Sequence, residues 1–367
     1  MPGLILHVGA QKTGSSALQR FFTANRDLLS RAGCAYPQLP FPERSLRDSN
    51  AEVLARACAS LAKDGDDPSN WRSYLGPEYL SAFEDALEGH GRILVSEEML
   101  WMSVRGIGLD RREGIREHAL IWQTLAHIFE HLGIDDLHII VYLRRQDEFL
   151  SSLWRETVRN GRHAIGFHAW EQQLRSGIVC DYRERIRIIE AALPTCRITV
   201  RSYGQPAFGK DLFHDFCEAA SIPWNDAFSL PGRVNASLPF DVADGMRPLL
   251  VAFPSGYERF TTLAPIAEEL GRTVPDAPGT TPYSPEKRRE LKEAFADGND
   301  WISKRFPSCS RAFEGDWDED RPQWTENRKR SAKYTLTLLR MMLERHPLLA
   351  TKALARVLFR THGRLSR

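Results

Sequence analysis

Between Gly9 and Ser16 the chain reads G-A-Q-K-T-G-S-S. Two glycines, one lysine and three hydroxyl side chains are the ingredients of a loop that wraps an anion. Glycine lets the backbone approach closely, amide N–H groups point at the guest, and lysine supplies a point charge. A nucleoside-triphosphate loop of the form G-x-x-x-x-G-K-[ST] has the same glycine spacing, but its lysine directly follows the second glycine. Here Ser15 holds that place, and the lysine is Lys12, two residues before Gly14. The loop therefore suits a phosphate or sulfate group, with Gln11, Lys12, Thr13, Gly14, Ser15 and Ser16 as candidate contacts. The plain structural alternative is a glycine-containing turn capped by serine.

Two more stretches carry chemistry. The apolar run H-I-I-V-Y-L ends in Arg144 and Arg145, where a nucleotide hydrolase would need an acid to hold Mg²⁺. Two arginines point to a second anion instead. The run R-I-L-V-S-E-E puts Glu97 and Glu98 at a strand end, where either can act as a general base, Glu98 first. Alternatively, Ser96 caps a helix and the glutamates complement its dipole. Arg145 reads as an arginine turned to the other side or as a surface charge. His7 lies inside the first strand and reads as core; His163 and His168 are weaker candidates for an acceptor pocket. Trp122, Trp154 and Trp170 read first as core packing.

These residues need a scaffold that brings strand ends together. Four apolar runs, starting at Leu4, Arg92, His138 and Arg197, read as buried parallel strands. Helical patterns cover Ser16 to Arg31, Arg116 to His131, Asp147 to Arg159, Asp181 to Leu193, Asp211 to Ala220 and Pro285 to Phe295. The fold class is therefore α/β, with a parallel sheet between helices. The stretch from Asp276 to Pro285 reads as a loop between subregions. Of the 367 residues, 42% are hydrophobic and 26% charged, an ordinary globular composition. The formal net charge of +1 offers no global field for nucleic acid. Six scattered cysteines without a C-x-x-C pair suggest neither a zinc site nor a disulfide framework.

The loop and the arginine strand end resemble, as a pair, the PAPS-dependent sulfotransferases. G-A-Q-K-T-G-S-S-A-L-Q-R-F-F resembles that family's 5′-phosphosulfate loop, P-K-[ST]-G-[ST]-[ST], with Gln11 in place of the proline. V-Y-L-R-R-Q-D-E-F-L-S-S-L-W resembles its 3′-phosphate motif, with Arg144 and Ser152 in the matching positions. Weaker likenesses run through Tyr203 to Ile222, Gly232 to Leu238 and Phe295 to Phe306, and in the second of these Arg233 is a further 3′-phosphate candidate. The resemblance implies a three-layer P-loop-type sheet and transfer of a sulfuryl group from PAPS, leaving PAP. It implies no metal, with Lys12 acting at the leaving phosphate. The acceptor would be a hydroxyl or amine on a glycan, a lipid-linked sugar or a small metabolite. Two other functions stay open: a P-loop kinase acting on a small molecule, and a non-catalytic nucleotide-binding scaffold.

The resemblance places a sulfotransferase-like domain over residues 1–327 and a basic helical extension over 328–367. From Arg328 onward Glu344 is the only acid. Leu336, Leu339, Met342 and Leu343 form an apolar stripe, and Pro347 divides the segment into two helices. A basic amphipathic segment can lie on an anionic membrane surface; the first reading is a packed helix pair with a solvated basic face. No apolar run approaches the ~18 residues a bilayer requires, and no leader is expected at the start. Both point to the cytoplasm, with peripheral contact at the inner face of the membrane as the tail's alternative.

Overall fold

A computed structural model of the chain describes residues 3–40, 49–101, 110–204, 211–232, 237–253, 259–309, 313, 317, 321–351 and 354. Strands β1 (Gly3–His7), β2 (Arg92–Ser96), β3 (Asp136–Leu143) and β4 (Arg197–Ser202) form one all-parallel sheet in the order β2-β1-β3-β4. All four expected strands are present, and the protein is α/β with helices flanking the sheet. The chain leaves β1 for β2 on one side and then crosses to β3 on the other. The crevice between the carboxyl ends of β1 and β3 is thus a topological switch point, the place where such sheets bind ligands.

Helices α1 (Ser15–Ala24) and α2 (Arg26–Arg31) follow β1, and α3 (Glu52–Asp64) and α4 (Pro77–His90) precede β2. Next come α5 (Arg111–His131), α6 (Gln146–Arg159), α7 (Phe167–Arg175), α8 (Tyr182–Ala192) and α9 (Leu212–Ala219). The last four are α10 (Phe240–Leu250), α11 (Ala264–Thr273), α12 (Pro285–Arg305) and α13 (Arg328–Arg345). The helix expected from Ser16 to Arg31 is divided at Asn25, whose amide donates to Phe21 O and Ser229 O and accepts from Ser229 N. Helix α5 starts five residues before the expected Arg116 because the Asp110 carboxylate accepts from Glu113 N at 2.9 Å.

The chain clusters into two units: Met1–Gln146, Leu174–Val234 and Lys292–Asp316 in the first; Asp147–Gln173, Asn235–Leu291 and Trp317–Arg367 in the second. The first contains the sheet. Ile5, Leu94, Ile140 and Tyr142 pack on one of its faces with Leu18, Phe21 and Phe22 of α1, Leu29 of α2 and Phe216 of α9. The alternate residues Leu4, Leu6, Ile93, Val95, Ile139 and Val141 face the other way and are equally buried.

In the second unit Trp154 stacks near Phe240 and Trp324. Helices α10 and α13 meet at Gly245, where a Cβ would come within 2.5 Å of Tyr334 Cβ. Thr335 Oγ1 donates to Gly245 O at 2.7 Å. Helix α13 therefore buries Leu338 and Met342, while Leu336 is 66% exposed and Leu343 is exposed too. This corrects the expected stripe, which shares only Met342 with the buried face. The helix ends at Arg345, and a helical turn resumes at Pro347. Among the described residues no helix is long and apolar enough to cross a membrane.

Candidate anion-binding site

Strand β1 does not stop abruptly at His7. Val8 N donates to Ile140 O and Ala10 N to Tyr142 O, so the chain follows β3 two residues further before turning. The turn needs two left-handed residues, Lys12 at φ 68° and Gly14 at φ 84°. Thr13 Oγ1 donates to Ala10 O at 2.5 Å and closes the loop on itself. Thr13 is buried, and its hydroxyl proton goes to Ala10 O. Gln11 and Ser15 are buried as well, Lys12 and Gly14 are half-buried, and Ser16 is exposed. At the start of α1 no side chain caps the helix, and no acid lies in the first turn. The positive end of that helix is thus left for another partner.

Arg144, just past β3, turns back over this loop. One guanidinium nitrogen donates to Lys12 O at 3.4 Å, and the guanidinium carbon stands 5.7 Å from the centre of the Tyr203 ring. The Arg144 carbonyl accepts from Tyr182 Oη at 2.8 Å, and Tyr203 N donates to Leu143 O at 2.7 Å. A Cβ on Gly14 would lie 2.9 Å from the Tyr203 ring and 2.5 Å from Leu212. Tyr203 thus presses on the loop's second glycine from beside Arg144, a role the sequence reading missed. Its signal was its position one residue past a strand, at the same edge as the loop. Arg145 is 95% buried, which rules out its reading as a surface charge. Ser152 is buried on α6, in the second unit. Arg233 lies outside the described residues.

At the end of β2 the two glutamates have different surroundings. Glu97 is fully buried and caps the short 3₁₀ turn Glu98–Leu100. One of its oxygens accepts from Met99 N at 2.9 Å and the other from Ser49 Oγ at 2.5 Å. The cap is therefore Glu97, not Ser96. Asn50 braces the same strand, accepting from Ser96 N and donating to Leu94 O. Arg185, wholly buried, donates to the Trp101 and Ile178 carbonyls and so anchors the far end of the turn. Burial pulls its pKa down to about 10. Glu98 is half-buried at the sheet's carboxyl edge. Of the two, Glu97 holds the turn and Glu98 is the one left half-buried.

His7 is buried among Phe22, Tyr142 and Phe216. Burial holds its pKa near 3, so the ring is neutral at ordinary pH. Its Nδ1 is 2.8 Å from Ser96 Oγ, which also accepts from Gln19 Nε2 at 3.3 Å. In the second unit His163 Nε2 lies 2.8 Å from Thr157 Oγ1 and the ring stacks on Trp170; burial lowers its pKa to about 4. His168 is exposed. Trp122, Trp154 and Trp170 are core side chains.

The first unit thus assembles a helix N-terminus, a lysine loop, a strand-end arginine and a half-buried glutamate along one sheet edge. That set can hold a polyanion and remove a proton from a neighbour. Compared with known protein families, curated proteins and solved structures, the chain matches none.

Proposed function

We propose that the protein is a PAPS-dependent sulfotransferase on a P-loop-type sheet, with a hydroxyl or amine of a glycan, lipid-linked sugar or small metabolite as acceptor. The observation that carries this reading is the bond from the Arg144 guanidinium to the Lys12 carbonyl, which joins the ends of β1 and β3 at the switch point. A hydrolase of nucleoside triphosphates would have an acid there. The residues fit a nucleotide with two separated anionic groups. The helix end lacks an acid in its first turn, and among the described residues the buried Ser15 Oγ has no hydrogen-bond partner.

PAPS would supply the sulfuryl group and an adenosine 3′,5′-bisphosphate leaving group. Backbone N–H groups at the start of α1 and the Ser15 and Ser16 hydroxyls hold the 5′-phosphate. Lys12 neutralises charge that grows on the leaving phosphate oxygen. Arg144 selects the 3′-phosphate through charge-assisted hydrogen bonds, with Arg233 as a further candidate. Glu98 takes the acceptor's proton. Gln11 shapes the entrance of the loop.

The test is transfer from labelled PAPS to a panel of hydroxyl and amine acceptors, with and without EDTA. Transfer that survives EDTA supports the reading. Phosphoryl transfer from ATP that needs Mg²⁺ would replace it with a kinase.

A further inference from the structure

Among the described residues, two buried polar atoms beside Gly9 have no hydrogen-bond partner. They are His7 Nε2 and Ser15 Oγ. A Cβ built on Gly9 would sit 3.0 Å from the first, 2.7 Å from the second and 2.9 Å from Thr13 Oγ1. Three polar side chains thus converge where glycine has only hydrogen. Thr13 Oγ1 already donates to Ala10 O, which leaves His7 and Ser15 as the orphaned pair. Their residues are 1% and 2% exposed. Leaving such groups unmatched is costly unless a guest or a small movement satisfies them.

The hydrogen bonds on the far side of the imidazole decide which nitrogen carries its proton. Among the described residues Ser96 Oγ has two side-chain partners, Gln19 Nε2 and His7 Nδ1. The amide N–H can only donate, so the hydroxyl accepts from it. The hydroxyl keeps a second lone pair, but among the described residues its single proton finds an acceptor only on Nδ1, which is then the bare nitrogen. The ring proton therefore sits on Nε2, facing the loop.

We propose that His7 is a positioning residue of the anion loop. With its proton on Nε2 it donates to Ser15 Oγ when the anion binds, and the Ser15 proton then points outward to a phosphate oxygen. A chain of donors, Gln19 to Ser96 to His7 to Ser15, thus runs from α1 through the ends of β2 and β1 back to the N-terminus of α1. It explains why the first loop position is glycine: any side chain would stand between His7 and Ser15. This inference rests on the anion reading of the loop and adds to it the residue that sets the direction of one donor.

Three measurements on the full-length protein test it. Long-range ¹H–¹⁵N NMR on protein labelled at histidine reads the His7 tautomer directly. An Nε2–H tautomer whose proton shifts on addition of PAP or inorganic phosphate is expected; an Nδ1–H tautomer overturns the role. Calorimetric titration of PAP should show Ser15→Ala and His7→Asn each weaker by about tenfold, one hydrogen bond's worth. His7→Gln, which keeps a donor near the Nε2 position, should stay within about twofold. Adding His7→Asn to Ser15→Ala should cost nothing further, because the two act through one hydroxyl. Additive losses overturn the relay, and the Ser15→Ala variant and the wild-type spectrum stay readable if a His7 variant fails to fold. If the wild type binds neither PAP nor phosphate, the anion reading itself falls, and the inference with it. If it binds both and the tautomer or the cycle disagrees, only the role of His7 falls.

Discussion

Glu97 and Glu98 are neighbours in sequence with different surroundings, one fully buried and the other half-buried. Glu97 spends both carboxylate oxygens on Met99 N and Ser49 Oγ. Glu97→Ala should therefore cost about 1–3 kcal/mol of stability, a lost cap plus an orphaned donor. Chemical denaturation reads that loss. Glu98→Gln should leave stability and PAP affinity near wild type and lower turnover by ~10²–10⁴-fold, the usual worth of a general base. Near-normal turnover in Glu98→Gln would move the role elsewhere. The sequence showed two glutamates at a strand end; it did not show Ser49 or the buried Arg185, which lie far away in the chain. His7 makes a pH prediction at the same scale. Its pKa is about 3 in the folded chain and 6.5 unfolded, so the unfolded chain binds the extra proton. Its share of stability is full above the unfolded value and is lost as pH falls from there toward the folded one. Between about pH 6.5 and 5, folding free energy should fall by up to about 1.4 kcal/mol per unit from this residue alone. Buried His118 adds in the same direction. Denaturant titrations of wild type and His7→Phe should show a shallower slope in the variant; equal slopes would refute a buried neutral ring.

At the scale of elements, the strands were the most legible part. The apolar runs of β1, β2 and β3 are buried on both faces, and β2 begins and ends where the sequence put it; β4, at the sheet's edge, is only partly buried. Helices were harder. Helix α10 carries Gly245 and Pro248, residues that normally argue against a helix. It forms because Gly245 lets α13 approach closely, a contact no local pattern reveals. Legible too was the strand-loop-helix unit that carries Lys12, but not its strain. Lys12 is not glycine, yet it holds φ 68°, a conformation that costs an L-residue about 1–2 kcal/mol. Lys12→Gly should consequently be more stable than Lys12→Ala by about that amount, while both lose turnover alike. Thermal unfolding and steady-state rates of the two variants check this. If the glycine variant is no more stable than the alanine variant, the loop stores no strain, and Lys12 is not held in place for chemistry.

For the whole molecule, the sequence pointed to one long domain and a basic extension, and the chain clusters into two units of several segments each. Segment exchange of this kind depends on long-range packing, which periodicity does not encode. The basic helix α13 buries Leu338 and Met342, and truncation before Arg328 should remove the cooperative unfolding of the second unit. Calorimetry of the truncated chain checks this; an unchanged transition would show that α13 contributes no packing. We propose above all that Lys12 and Arg144, just past the ends of the adjacent strands β1 and β3, form one site for a nucleotide bearing a 3′-phosphate. Calorimetric titration of PAP and ADP into wild type and Arg144→Ala tests it most directly. Wild type should prefer PAP, since each charge-assisted bond from Arg144 is worth about 1.5–3 kcal/mol. Arg144→Ala should lose most of that preference and keep its affinity for ADP. Equal affinity of the wild type for PAP and ADP would contradict the claim.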